Sequence, residues 1–176
     1  MQILKRLFDF YIHASIHVAF AVLALVLMTN HMFKQSFDLP MAGFAFFGTL
    51  FGYNFIKYEV YFREKLTFRK SLTSTLVLSL LSIIASIYFF FLLEFKTQVA
   101  AIVFFGLTFL YTVPVFSTKK NMRNWSGIKI YIVAFCWAGV TTLLPMFNFE
   151  APLCHDVAVK FSQRFLLVIV LILIFE

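Results

Sequence analysis

Charge is scarce in this chain: 13% of its 176 residues are Asp, Glu, Lys or Arg, against 62% hydrophobic, with a mean hydropathy of +0.91. A protein surface facing water carries roughly a quarter to a third charged residues, so this composition excludes a soluble globular protein. Long polar stretches are missing too, which leaves no room for a separate soluble domain. A bilayer span takes roughly 20 mainly apolar residues, so the chain accommodates about six helices in one transmembrane domain, 1–176. Cysteine is nearly absent. Cys136 falls in an apolar run and Cys154 in a loop, which gives no disulfide framework. The first apolar run ends in His31 and Met32 rather than in small residues, so it lacks a cleavage site and is a helix, not a removable signal.

What is present is apolar and aromatic, including 26 Phe. Hydropathy predicts helices near Ile12–Met32, Met41–Ile56, Leu72–Leu93, Val99–Phe116, Ile130–Phe147 and from Phe165 to Phe175. Backbone groups in hydrocarbon must be satisfied within the segment, and runs of this length without strict alternation predict an all-α fold, a polytopic bundle, rather than a barrel. The last run is short and stops at Glu176, so the chain reads as the first part of a longer protein.

The few charges are distributed unevenly. With alternating spans, one side receives Lys5, Arg6, Lys57, Arg63, Lys65, Arg69, Lys70, Lys119, Lys120, Arg123 and Lys129. The other receives only Lys34, Lys96, Lys160 and Arg164. Lys and Arg in short loops mark the cytoplasmic side, which places the amino terminus inside and two basic loops, Lys57–Lys70 and Ser117–Lys129, in the cytosol. No charge is expected in the middle of a span.

Several residue groups at that inner level have chemical potential. Asn54, Lys57, Tyr58 and Tyr61 are three or four residues apart and share a helix face. They serve either as an interfacial anchor or as a ligand site; an amide at the membrane edge asks for a partner. Pro114 ends or kinks the fourth helix and delivers Tyr111 and the loop with Lys119, Lys120 and Arg123 to the same level. Such cations either set topology or hold a phosphate or diphosphate. Asp9, His13 and His17 form a stripe four residues apart, which suits a metal or haem ligand pair or simply a polar face between helices. Gly48 and Gly52 predict a close helix contact, within the fold or between copies in a homo-oligomer.

In order along the chain, Gly52-Tyr53-Asn54-Phe55-Ile56-Lys57-Tyr58, Leu110-Tyr111-Thr112-Val113-Pro114, Arg123-Asn124 with Gly127-Ile128-Lys129, and Trp137-Ala138-Gly139-Val140-Thr141 with Leu143-Leu144-Pro145 resemble a bacterial branch of the UbiA prenyltransferase superfamily. The resemblance runs from about residue 11 to the end. It implies a nine-helix bundle in the bacterial cytoplasmic membrane, of which this chain supplies about six. It also implies a polyprenyl diphosphate held through Mg²⁺ and two Asp-rich motifs, with transfer of the prenyl chain to a lipophilic acceptor. By resemblance Asn54, Lys57, Tyr58, Tyr111, Lys119, Lys120 and Arg123 bind the diphosphate, and Glu176 opens the second motif as a metal ligand. The three Asp positions of the first motif carry Phe55, Tyr58 and Phe62 instead. Glu59 and Glu64 lie nearby but about 140° apart on a helix. The expected partners are membrane lipid and the polyprenyl diphosphate, with no nucleic acid. Two alternatives remain, a catalytically inactive lipid-binding or accessory protein and a small transporter subunit.

Overall fold

The computed structural model describes residues 2–63, 70–112, 128–152 and 154–175. For residues 2–3, 58–63, 70–72, 111–112, 128–129 and 175 the description covers the backbone only. Helices account for the regular structure: α1 Gln2–His13, α2 Ile16–Met32, α3 Leu39–Arg63, α4 Lys70–Phe90, α5 Phe95–Thr112, α6 Ile128–Ala138, a π-helical turn Gly139–Leu143, α7 Leu144–Asn148 and α8 His155–Phe175. Among the described residues there is no strand. Four segments are long and apolar enough to cross a membrane: Leu39–Lys57, Thr73–Phe90, Ile130–Asn148 and His155–Ile174. The α1–α2 pair, bent by 63°, makes a fifth if it counts as one span, and the apolar part of α5, Phe95–Leu110, is shorter. The expected count of six is therefore four or five on these criteria. The stretch Lys57–Arg63, expected in a loop, continues α3.

The chain divides into two compact units. The first comprises residues 1–27 and 37–92. Asp38 starts α3 by accepting from the Met41 amide at 3.0 Å, with Pro40 in the first turn, where its missing N–H costs nothing. α3 and α4 pack closely. A Cβ on Gly43 would meet the Phe89 ring at 2.6 Å, and one on Gly48 would meet Ser86 Oγ at 3.3 Å, whereas Gly52 has open space beside it. Of the Gly48–Gly52 pair, Gly48 thus makes its contact inside the fold. The buried face of α4 is Thr75, Ser79, Ser82 and Ser86, while Leu80, Leu81 and Ile84 are at least half exposed. A helix in water buries its aliphatic face. Here the small hydroxyl residues pack and the aliphatic face is bare, the arrangement a helix takes when hydrocarbon surrounds it. α1 is amphipathic: Lys5, Arg6, Asp9 and His13 line one side, and Leu4, Leu7 and Phe8 are exposed on the other, the pattern of a helix at a membrane surface.

The second unit comprises residues 28–36 and 93–176. α2 ends in it with Lys34 at φ 55° and the Gln35 amide returning to the Asn30 carbonyl at 2.8 Å, a Schellman-type close. Phe104, Phe135 and Phe161 form a ring series from α5 through α6 to α8, at 5.8 and 5.6 Å. At the C-terminal end of α6 the helix widens into the π turn, in which the Leu144 amide bonds to the Gly139 carbonyl. Gly139 is required there, since a Cβ would stand 2.0 Å from the Phe104 ring. Asn148 Oδ1 accepts from the Glu94 amide at 3.0 Å, and Lys96 pairs with Glu150 at 3.4 Å at the exposed end.

Candidate functional site

The first site is built on a break in a helix. α1 ends as the Ala14 amide bonds to the Phe10 carbonyl at 2.8 Å and the Ser15 amide to Ile12 at 3.1 Å; Ser15 takes the left-handed conformation at φ 58°. A helix end leaves its last carbonyls without donors. Two side chains of α3 supply them. Asn54 Nδ2 donates to the Ala14 carbonyl at 3.1 Å, and Lys57 Nζ donates to the His13 carbonyl and to Ser15 Oγ, both at 2.8 Å. The ammonium also meets the negative end of the α1 dipole.

Asn54 and Lys57, paired on one face by their spacing, are thus brought to one place. Asn54 is 0% exposed and its Oδ1 has no hydrogen-bond partner, so the site keeps one buried acceptor. An ammonium has three donors, and Lys57, which reaches solvent, uses two of them on the break. The arrangement offers a cation and an amide oxygen to a ligand at the end of the apolar stretch Leu39–Lys57 of α3. His13 Nδ1 is occupied by the Asp9 carbonyl at 2.6 Å, and the His17 ring lies 5.9 Å from the Tyr11 ring, tilted against it. The side chains of Tyr58, Tyr61 and Tyr111 lie outside the described residues, as do Lys119, Lys120, Arg123 and Glu176.

The Mg²⁺ implied by the resemblance finds no matching donor set among the described residues. No three His, Cys, Asp or Glu side chains gather there to hold a metal. The Glu59, Glu64 and Glu176 side chains lie outside the description.

A second polar site was not predicted. Arg164, assigned to a loop by hydropathy, stands in the middle of α8 and is 8% exposed. The expectation that no charge lies in mid-span is corrected: at about 1.5 Å per residue Arg164 is some 13 Å from one end of the helix and about 16 Å from the other, in the middle of the candidate span His155–Ile174. Its Nη1 donates to Thr29 Oγ1 at 2.6 Å and to the Thr141 carbonyl at 2.7 Å, and Thr29 Oγ1 donates to the same carbonyl at 2.6 Å. The sequence explains that convergence. The α-helical donor to Thr141 would be the amide of residue 145, which is Pro145 and has none. The side chains of α2 and α8 replace the missing hydrogen bond. Pro145 was the available signal, because a proline four residues after a buried carbonyl announces a vacancy that something must fill. Compared with protein-family models, with curated proteins and with solved structures, the chain matches none.

Proposed function

We propose that this chain belongs to a UbiA-like nine-helix bundle of the bacterial cytoplasmic membrane, with its amino terminus in the cytosol. In this reading it binds the head group of a polyprenyl diphosphate at Asn54 and Lys57 of α3 and passes the prenyl chain to a lipophilic acceptor. One observation carries the reading: Asn54 and Lys57, the two residues with described side chains that the resemblance assigns to the diphosphate, form one cluster in which the Lys57 ammonium keeps a donor to spare. Lys57 neutralises charge developing on the departing diphosphate, and an ammonium held by two hydrogen bonds needs little reorganisation to do so. Lys119, Lys120 and Arg123 add charge from the inner loop.

Two further readings each have an observation behind them. Phe55, Tyr58 and Phe62, standing where the family carries Asp, favour a lipid-binding accessory protein that has lost catalysis. The mid-span Arg164 favours a transporter subunit, since ionisable groups within spans commonly mark pathways. Incubation of the purified protein with Mg²⁺, labelled prenyl diphosphates of several lengths and a lipophilic aromatic acceptor separates these. Prenylated product supports transfer, binding that is indifferent to Mg²⁺ and gives no product selects the accessory protein, and absence of both eliminates the diphosphate reading.

A further inference from the structure

The break that Asn54 and Lys57 hold also sets the direction of α1. It leaves α2 at 63°, and α2 alone, 17 residues or about 26 Å long, nearly crosses a ~30 Å hydrocarbon layer, so α1 is not needed to complete a span. Lys57, whose ammonium reaches the His13 carbonyl and Ser15 Oγ, is also the last residue of the apolar stretch Leu39–Lys57. Both helices therefore put the break at one level, the edge of the apolar layer. Ala14 and Ser15 are buried there, so packing as well as hydrogen bonds holds the angle. A helix 63° from a spanning one lies nearer the membrane plane than its normal.

The two sides of α1 differ in the way such a position requires. At about 100° per residue, Lys5, Asp9, His13 and Arg6 occupy about 100° of the circumference, with Leu4, Leu7 and Phe8 on the opposite side. Those three apolar side chains are 61–73% exposed. The bare aliphatic face of α4 has a buried face of small hydroxyl residues behind it, whereas α1 has exposed charge behind its own. Within the polar face the order matters: Lys5 and Arg6 stand on its two borders and Asp9 between them. Border cations lay their methylenes along the apolar edge and lift their heads to the phosphate level, while a central carboxylate faces water. Among the described residues Lys5, Arg6 and Asp9 make no ion pair, so the two cations are not already engaged.

We propose that α1 is an in-plane helix that binds an acidic phospholipid surface. Leu4, Leu7 and Phe8 sink into the boundary between headgroups and acyl chains, and Lys5 and Arg6 take the phosphates of anionic lipids. The apolar face supplies adhesion, and the border cations supply selectivity, because a headgroup of net negative charge attracts them and a zwitterionic one is neutral overall. Asn54 and Lys57 fasten the helix at the angle that this contact needs. The inference does not rest on the diphosphate reading, since Lys57 enters it only through the bonds it makes to the break.

The test uses the whole chain with Cys136→Ser and Cys154→Ser, carrying a bimane label on Phe8→Cys, in vesicles of phosphatidylcholine and phosphatidylglycerol. Phe8 is exposed, so the label does not disturb packing. Lipids with a nitroxide near the headgroup end of the acyl chain are expected to quench the label more strongly than lipids with one near the methyl end. Phosphatidylglycerol carrying the shallow nitroxide is expected to associate with α1 about fivefold more strongly than the matching phosphatidylcholine, the scale of one net basic charge at an anionic surface. Lys5→Gln/Arg6→Gln, a change of two exposed residues, is expected to remove that preference. Strongest quenching from the methyl end would mean that α1 continues the span, and no quenching by any lipid would mean that protein, from this chain or a second copy, covers the face. Either result overturns the proposal, as does equal association of the two lipids with the unsubstituted helix or a preference that survives Lys5→Gln/Arg6→Gln. No prenyl diphosphate is present, so the outcome is separate from that of the diphosphate reading.

Discussion

Arg164 holds the Thr141 carbonyl at 2.7 Å, occupying the place of the amide that Pro145 lacks. The two residues are therefore energetically coupled although they touch different helices. Arg164→Met is expected to destabilise the protein by about 2 kcal/mol, the scale of a buried hydrogen bond from a charged donor. In a Pro145→Ala background the helix supplies its own N–H, and the same substitution is expected to cost about 1 kcal/mol less. Denaturant titration in mixed micelles measures the cycle. Strict additivity would separate the proline from the arginine.

Gly139 and Phe104 give a second coupled pair. With a ring carbon 2.0 Å from the ideal Cβ position and Phe104 buried, Gly139→Ala is expected to cost about 1–3 kcal/mol through overpacking. Phe104→Leu in the same chain should recover most of that loss by opening the space. Thermal unfolding of the three variants checks this, and a double variant no better than Gly139→Ala alone would contradict it.

At the α1–α2 break the two α3 side chains differ in burial, so their substitutions should have different consequences. Asn54→Leu leaves the Ala14 carbonyl without its donor in a buried position and is expected to lower stability by about 1–2 kcal/mol. Lys57→Met removes hydrogen bonds near solvent, where water replaces them, so it should cost well under half as much. Equal losses, read from the same unfolding titration, would show that the exposed ammonium holds the bend as strongly as the buried amide, contrary to this expectation.

Native Cys154, exposed just before α8, reports topology. In a Cys136→Ser chain a membrane-impermeant maleimide is expected to label Cys154 in intact cells, whereas a tag on the amino terminus is reached only after permeabilisation. Cys154 labelled only after permeabilisation would invert the proposed orientation.

Helix existence was legible because the apolar runs are long and the loops short. The ends and interruptions were less so. No Gly or Pro marks the break at Ala14 and Ser15; it depends on Asn54 and Lys57, some 40 residues later, taking up the freed carbonyls. Arg164 was misplaced because Lys160, Ser162, Gln163 and Arg164 depress hydropathy together, and only the tertiary contacts with Thr29 and Thr141 show why a charge is tolerated inside the span. The shared face of Asn54 and Lys57 followed directly from helical spacing. Their hydrogen bonds to the break did not, since periodicity along one helix says nothing of which backbone lies opposite.

Equilibrium binding of farnesyl diphosphate to wild-type and Lys57→Met protein, with and without Mg²⁺, tests the central claim, that the Asn54–Lys57 cluster of α3 holds a prenyl diphosphate. Saturable binding to wild type, weakened about tenfold by Lys57→Met, or about 1.4 kcal/mol, is the predicted result. Equal affinity of the two proteins, or no saturable binding to wild type, would contradict it.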